Sequence, residues 1–204
     1  MGMIILSPEE QRALIRDRRE RRIDRFDEVW DGTYIVSPIA DNEHQFVAGC
    51  FHFTLVEALS PIAGVKVYPP INVTDRPVKW KKNYRCPDVS VFLPENSAED
   101  RKSHWYGGPD FVIEIVSPYD RSRKKLDFYA SVGVKELLLV DRKPWSLELY
   151  RLIEGQLKLA GKITPADPQN LTSEILPISF RLLPGEPRPT IEIIQSVDAR
   201  SWLI

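Results

Sequence analysis

The spacing of apolar residues predicts two helices in the first third of the chain. Residues 43–59 carry apolar side chains at helical intervals, which predicts a long helix capped at its start by Asp41 or Asn42. A serine followed by a proline and two glutamates predicts a second helix over residues 7–22. This helix has few apolar residues, so we expect it to lie outside the core.

Other segments have the patterns of strands. Residues 26–36 predict a hairpin, because Asp31-Gly32 separates two apolar-rich runs. The strand predicted over residues 135–141 contains the unbroken apolar run Leu137–Val140, which is typical of a strand covered on both faces. The remaining predictions are an extended segment over 65–74, a polar loop over 94–108, a helix over 120–132 and a terminal hairpin over 145–152 and 156–163.

This order of elements predicts an α/β or α+β core, in which helices pack on a mixed β-sheet. Neither a linker nor an internal repeat interrupts the chain. We therefore expect an N-terminal helical extension over residues 1–25 and one domain over residues 26–204.

Composition indicates a globular protein, with 43% hydrophobic and 28% charged residues. No apolar run approaches the roughly 20 residues of a membrane helix, so we expect no membrane association. The two cysteines, Cys50 and Cys86, lack metal-binding spacing. This favours a reduced, cytoplasmic setting and argues against zinc.

The formal net charge is −1, so a nucleic-acid partner would have to bind local basic patches. Three clusters are candidates, and ordinary solvated surface is the alternative for each. They are Arg12, Arg16, Arg18, Arg19, Arg21, Arg22 and Arg25; Lys79-Trp80-Lys81-Lys82 with Arg85; and Arg121, Arg123, Lys124 and Lys125.

One acid stands directly before an apolar run and another lies within a second run, and each is costly to bury alone. Asp88 precedes the run Val89–Phe92, and Glu114 lies within Phe111–Ile115. If neighbouring strands present both acids on one side, a Mg²⁺ or Mn²⁺ ion would balance their charge, with the Ile115 carbonyl as a further ligand. The alternative is that each acid caps a loop or pairs with an arginine.

A cation is expected near these acids. Lys125 shares the apolar face of the predicted helix over 120–132, because Phe128 and Tyr129 follow it at i+3 and i+4. Such a lysine could help to deprotonate a water or stabilise charge on a phosphate. It could also extend past the core to solvent. Lys124 competes for the role, since spacing does not separate the two lysines.

In their order, these segments resemble the Uma-two family of the PD-(D/E)XK nuclease superfamily. The matching stretches are residues 30–38 (WDGTYIVSP), 43–45 (EHQ), 87–91 (PDVSV), 109–118 (PDFVIEIVSP), Lys125 with Tyr129, and 133–141 (GVKELLLVD). The resemblance covers roughly residues 26–160. It implies a restriction-endonuclease-like core with a metal site at one end of the sheet.

The resemblance also implies roles for individual residues. Asp88 and Glu114 take the positions of the two motif acids. The superfamily lysine usually stands two positions after the second acid, where this chain has Val116, and the resemblance transfers its role to Lys125.

Three further residues are candidates for support of this site. Glu43 and His44 fall on family motif positions, where Glu43 could support the metal through a water, position Lys125 or belong to a helix cap. His44 is expected to be a hydrogen-bonded structural histidine rather than a ligand. Glu28 is either an acid near the cleft or an ordinary cross-strand partner.

Together these features predict a Mg²⁺-dependent or Mn²⁺-dependent endonuclease that hydrolyses DNA. A homodimer would be consistent with cutting both strands. The alternatives are a nuclease-fold binding module without activity, and a nuclease for RNA or branched nucleic acid. The sequence has no base-reading motif, so it predicts no sequence specificity.

Overall fold

The computed structural model describes residues 7–37, 40–117 and 121–204. Its α-helices are α1 (Pro8–Glu20), α2 (Asn42–Ala58) and α3 (Leu126–Ser131). Its strands are β1 (Glu28–Trp30), β2 (Thr33–Ile35), β3 (Lys66–Tyr68), β4 (Val73–Thr74), β5 (Tyr84–Arg85), β6 (Val89–Phe92), β7 (Glu99–Asp100), β8 (Trp105–Tyr106), β9 (Phe111–Ile115), β10 (Glu136–Arg142), β11 (Trp145–Ile153), β12 (Gln156–Ile163), β13 (Leu171–Thr172), β14 (Ile178–Leu183), β15 (Thr190–Gln195) and β16 (Ser201–Leu203).

A six-stranded mixed sheet forms the centre, in the order β12-β11-β10-β9-β6-β3. Strands β9 and β10 are parallel, while the other neighbours in this sheet are antiparallel. The parallel pair needs a crossover connection, and α3 lies in that connection between β9 and β10. The predicted α+β architecture with a mixed sheet and flanking helices is confirmed.

Side chains along β9 point alternately to the two faces of the central sheet, and the core has one layer on each face. Phe111, Ile113 and Ile115 belong to a cluster with Phe51 of α2, whereas Val112 belongs to a second cluster with Tyr129 of α3. The two helices therefore cover opposite faces of the central sheet. Glu114 shares the face of Val112, which directs its carboxylate toward the side of α3.

The C-terminal region completes the first cluster. Strands β13 to β16 form a four-stranded antiparallel sheet, and Phe180 of β14 stacks on Phe111 with ring centroids 6.0 Å apart. The sequence pattern did not predict this sheet. The prolines in its connections interrupt the strand pattern, so the four strands were not recognised. Their apolar residues pack in the same cluster as α2 and the inner face of β9.

A third sheet, in the order β2-β1-β5-β4-β8-β7, lies beside the central one. Strands β1 and β2 form the predicted hairpin, and Asp31 and Gly32 both have positive φ (46° and 87°), as in a type I′ turn. The polar loop predicted over residues 94–108 is wrong in part, because β7 and β8 lie within it. Both strands have only two residues, too few for an alternating pattern to show.

Helix α1 has no buried residue, as its sparse apolar pattern indicated. Its main anchor is Arg18, whose guanidinium donates to both carboxylate oxygens of buried Asp27 at 2.5 and 2.7 Å. Residues 1–6 of the predicted extension lie outside the described part of the chain. Within that part, no helix is both long enough and apolar enough to cross a membrane.

Asp41 caps α2, and we expect this cap to stabilise the fold in a pH-dependent way. Its Oδ1 accepts from the His44 N–H at 2.8 Å, and Arg142 donates to both of its oxygens at 2.8 and 3.0 Å. Arg142, followed by the His44 amide, holds the pKa of Asp41 well below its usual range. The stabilisation is therefore present above about pH 4, the ordinary aspartate range, and is lost as the pH falls through the lowered value.

Asp41→Ala is expected to lower the free energy of unfolding by about 1–2 kcal/mol at pH 7. Asp41→Asn should cost less, because asparagine also caps a helix. Urea unfolding at pH 7 and pH 3 measures both variants against the wild type. A wild-type advantage over Asp41→Ala that is equally large at both pH values would contradict this role for the charge.

Candidate active site

The strand register brings Asp88 and Glu114 to the same place. Strand β6 pairs antiparallel with β9, with Val89 opposite Ile113. Continuing this register by one residue places Asp88 opposite Glu114, and opposite residues in antiparallel strands share a face. Asp88 Oδ2 also accepts a hydrogen bond from the Ile115 N–H at 2.8 Å. The two acids predicted from separate apolar runs therefore converge.

Glu114 is buried, with only 4% of its side chain exposed. Lys125 Nζ lies 3.0 Å from each of its carboxylate oxygens, and the Tyr129 hydroxyl donates to Oε1. Burial raises the pKa of Glu114 to about 8; Lys125 and Tyr129 act against this rise, and the carboxylates of Asp88 and Glu28 add to it. The charged form of Glu114 therefore depends on positive charge beside it, which Lys125 supplies.

Lys125 points inward, and Lys124 is exposed. The Lys125 ammonium lies 3.0 Å from Glu28 Oε1 as well as from Glu114, and 12% of its side chain is exposed. Burial alone would lower the pKa of Lys125, but Glu114, Glu28 and Asp88 outweigh it and hold this pKa above its usual range. Lys125 therefore stays an ammonium ion, which favours charge stabilisation over deprotonation of water.

Lys125 does not directly follow β9 in the chain, where the superfamily pattern would place the lysine. Lys125 ends a 3₁₀ turn, Ser122–Lys125, that leads directly into α3. The helix predicted over residues 120–132 is therefore shorter and begins with this turn; residue 120 itself lies outside the described residues. Val116, at the position of the usual lysine, packs against the second core cluster.

Asp88 is held by His44 as well as by the backbone of Ile115. His44 Nε2 lies 3.0 Å from Asp88 Oδ1, and its Nδ1 lies 3.0 Å from the Ser117 hydroxyl. The imidazole thus bridges Asp88 on one side and Ser117 on the other. His44 is thus hydrogen-bonded on both ring nitrogens, and one of its partners is a predicted site carboxylate.

Glu28 and Glu43, the two other acids considered for support, have different partners. Glu28 is buried at the site, where its oxygens accept from Trp30 Nε1 at 2.7 Å and from the Cys86 N–H at 2.8 Å. Glu43 instead accepts from Arg142 at 2.9 Å. The suggestion that Glu43 positions Lys125 is wrong, because Glu28 and Glu114 hold that ammonium.

The side chains of Glu28, His44, Asp88, Glu114 and Lys125 line an open cleft of about 830 Å³. One wall comes from the β1–β2 hairpin and the other from the first turns of α2, while the acids lie between them. Trp30 and Ser117 also line the cleft, and no sequence pattern marked them as site residues. Arg121, from the third basic cluster of the sequence, lines it as well. The contact of Tyr129 with Glu114 was not predicted. Tyr129 was recoverable, since it stands four residues after Lys125 and so shares its helix face.

The residues present fit a Mg²⁺ or Mn²⁺ ion. In the ranges that the structure describes, no three His, Cys, Asp or Glu side chains gather as a metal-binding group. Mg²⁺ does not need such a group, since it binds through one or two carboxylates while waters and phosphate oxygens complete its shell. Three carboxylates, of Glu28, Asp88 and Glu114, face the single ammonium of Lys125. A divalent cation bound to these oxygens would stabilise the charged forms of the acids.

His44 offers a test of carboxylate positioning, because α2 carries a second histidine that also lines the cleft. Only His44 contacts Asp88, while His52 lies two turns further along the helix. We expect His44→Ala to reduce cleavage about 10–100-fold, the usual effect of losing such an orienting residue. His52→Ala should change the rate less than about threefold. Steady-state cleavage rates would be measured for both variants. Equal losses of rate would contradict the role of His44 in positioning Asp88.

A mixed sheet flanked by helices, with two acids on neighbouring strands and a lysine beside them, is the arrangement of the restriction-endonuclease-like class of proteins. The family Uma2, described as "Putative restriction endonuclease", matches residues 8–184 of this chain. The chain therefore belongs to the Uma2 family.

A solved structure supports the same fold. The chain is similar to a protein from Anabaena variabilis described as "a putative nuclease belonging to DUF820", with a TM-score of 0.56 and 18% sequence identity. The match covers 72% of this chain and 80% of the other. No curated protein matches this chain.

Proposed function

We propose that this protein is a Mg²⁺-dependent or Mn²⁺-dependent endonuclease that hydrolyses phosphodiester bonds in DNA. The observation that carries the proposal is the convergence of Asp88, Glu114 and Lys125 at the base of an open cleft. Membership of the Uma2 family agrees with it.

Asp88, Glu114 and the Ile115 carbonyl would hold the ion, which would polarise the phosphate and lower the pKa of a bound water. His44 and the Ile115 N–H fix the Asp88 carboxylate, so that it need not reorganise during the reaction. Tyr129 and Lys125 do the same for Glu114. The Lys125 ammonium remains charged and is available to stabilise negative charge that grows on the phosphate.

Cleavage is expected to require a divalent cation. Supercoiled plasmid, linear duplex DNA, single-stranded DNA and RNA would be incubated with the protein in Mg²⁺, Mn²⁺, Ca²⁺ or EDTA. We expect nicking or linearisation of DNA with Mg²⁺ or Mn²⁺ and none with EDTA. Linearisation would also support a dimer, since two active sites cut two strands. Cleavage that is unchanged in EDTA would refute the proposed chemistry, and cleavage of RNA alone would change the substrate.

A binding module without activity is the second candidate. The observation that favours it is that the Lys125 ammonium is paired with Glu28 and with both oxygens of Glu114, which limits its availability to a phosphate. Isothermal titration with Mn²⁺ separates the two candidates. Metal binding without cleavage of any substrate in the panel would support the binding module.

A further inference from the structure

The three basic clusters of the sequence have different surroundings in the fold. Arg18 of the first pairs with Asp27, and Arg123 of the third pairs with Glu148 and Asp141. In the second cluster, Arg85 is buried between the rings of Trp30 and Phe128. These three arginines therefore stabilise the fold through ion pairs or ring contacts.

The lysines of the second cluster are different. We call residues 79–82 the basic loop; Trp80–Lys82 form a short 3₁₀ helix within it. Lys79, Lys81 and Lys82 are exposed, and among the described residues no carboxylate forms an ion pair with any of the three. Arg76 and Arg101 nearby are paired with acids. The basic loop is therefore a compact source of unbalanced positive charge.

The basic loop is held in a fixed conformation. The Trp80 ring stacks on His104 with centroids 4.5 Å apart and an interplanar angle of 16°. The Thr74 hydroxyl donates to the Asn83 carbonyl at 2.6 Å, immediately after the loop. A fixed loop presents its charges without the entropy cost of ordering a mobile segment, which favours binding.

The basic loop is joined to one wall of the cleft. The Gly32 N–H donates to the Lys82 carbonyl at 2.9 Å, and the Asp31 N–H donates to the Asn83 side chain at 3.0 Å. These turn residues follow Trp30, which lines the cleft and binds Glu28. Gly32 stands four positions after Glu28, so their Cα atoms are at most about 13 Å apart. That distance is the rise of about four base pairs.

We propose that Lys79, Lys81 and Lys82 hold the phosphate backbone of a nucleic acid whose scissile phosphate lies in the cleft. This inference rests on the proposed function and names the surface that binds its substrate. The lysines contact phosphates and read no base, so they strengthen binding independently of sequence. Each contact releases counterions, which makes binding dependent on salt.

The test compares wild type, a Lys79→Gln/Lys81→Gln/Lys82→Gln variant and a charge-matched control, Lys158→Gln/Arg181→Gln/Arg200→Gln. The control residues do not line the cleft, and each pairs with a nearby acid. Fluorescence anisotropy would measure binding of a labelled 30-base-pair duplex and a labelled single strand in EDTA, over a series of KCl concentrations. EDTA separates binding from cleavage.

For duplex DNA, we expect the basic-loop variant to bind about tenfold or more weakly at 0.1 M salt, with the log–log salt slope reduced by about 2 to 3. Its melting temperature should match that of wild type, because the replaced groups are exposed. In cleavage assays KM should rise while kcat stays within about twofold, since the lysines bind ground state and transition state alike. The control should bind as wild type does.

Three results would overturn the inference. If wild type binds DNA but the basic-loop variant keeps the same affinity and salt slope, the inference fails and the proposed function stands. If the control loses as much affinity as the variant, only net charge matters and the assignment of this surface fails. If wild type neither binds nor cleaves any nucleic acid, the proposed function fails as well.

Discussion

Asp88→Asn and Glu114→Gln are each expected to reduce metal-dependent cleavage by about 10²–10³-fold. Each substitution keeps the size of the side chain and removes a negative charge from the centre that faces the cleft. Losing one preorganised electrostatic contact to a transition state typically costs a factor of this size. Initial rates of plasmid nicking, measured over a range of Mg²⁺ concentrations, would quantify the loss and separate weaker metal binding from slower chemistry.

Asp127→Asn is the matched control for these acids. Asp127 lies on α3, two residues before Tyr129, and its side chain is exposed. The Asp127→Asn variant should nick plasmid DNA at the wild-type rate. Circular dichroism and thermal unfolding would show whether the acid variants fold. Wild-type cleavage by both folded acid variants would refute the catalytic assignment.

Lys125→Met is expected to lower kcat by about 10²-fold or more, while Lys124→Met stays within about twofold of wild type. The two residues are adjacent and chemically identical, but only Lys125 contacts Glu28 and Glu114. The methionine keeps most of the volume of the side chain and removes its charge. Single-turnover cleavage at saturating enzyme isolates the chemical step from binding.

The Lys125→Met variant also leaves two buried carboxylates without their cation, which typically costs about 3–5 kcal/mol of stability. A Lys125→Arg variant guards against mistaking unfolding for lost catalysis, because it keeps a charge for Glu28 and Glu114. We expect Lys125→Arg to fold with near wild-type stability and to recover only part of the rate, since a guanidinium presents its charge differently. Full activity in a folded Lys125→Met protein would exclude a catalytic role.

The elements that could be predicted are those in which one continuous segment shows a clear spacing of apolar residues or a clear turn. Helix α2 spans Asn42–Ala58 against a predicted 43–59, and the hairpin of β1 and β2 forms around the predicted turn. The strand predicted over residues 135–141 is β10, Glu136–Arg142. In each case neighbouring residues alone carry the signal, so tertiary contacts were not needed to find it.

The rest depended on contacts that sequence spacing does not encode. The two-residue strands β7 and β8 exist because a neighbouring strand pairs with them. The partner of Glu43 is Arg142, 99 positions later in the chain. Spacing placed Lys124 and Lys125 equally well, and the 3₁₀ turn before α3 decides which of them faces the acids.

The route by which Lys125 reaches the acids has a consequence for how activity is lost. The strands supply Asp88 and Glu114, but the ammonium depends on a six-residue helix anchored by Phe128 and Tyr129. So short a helix is not stable by itself, and it persists only while its aromatic residues stay docked on the sheet. Mild denaturant should therefore abolish activity before the sheet unfolds. Undocking of α3 alone removes the Lys125 ammonium from the site, while both acids remain in place.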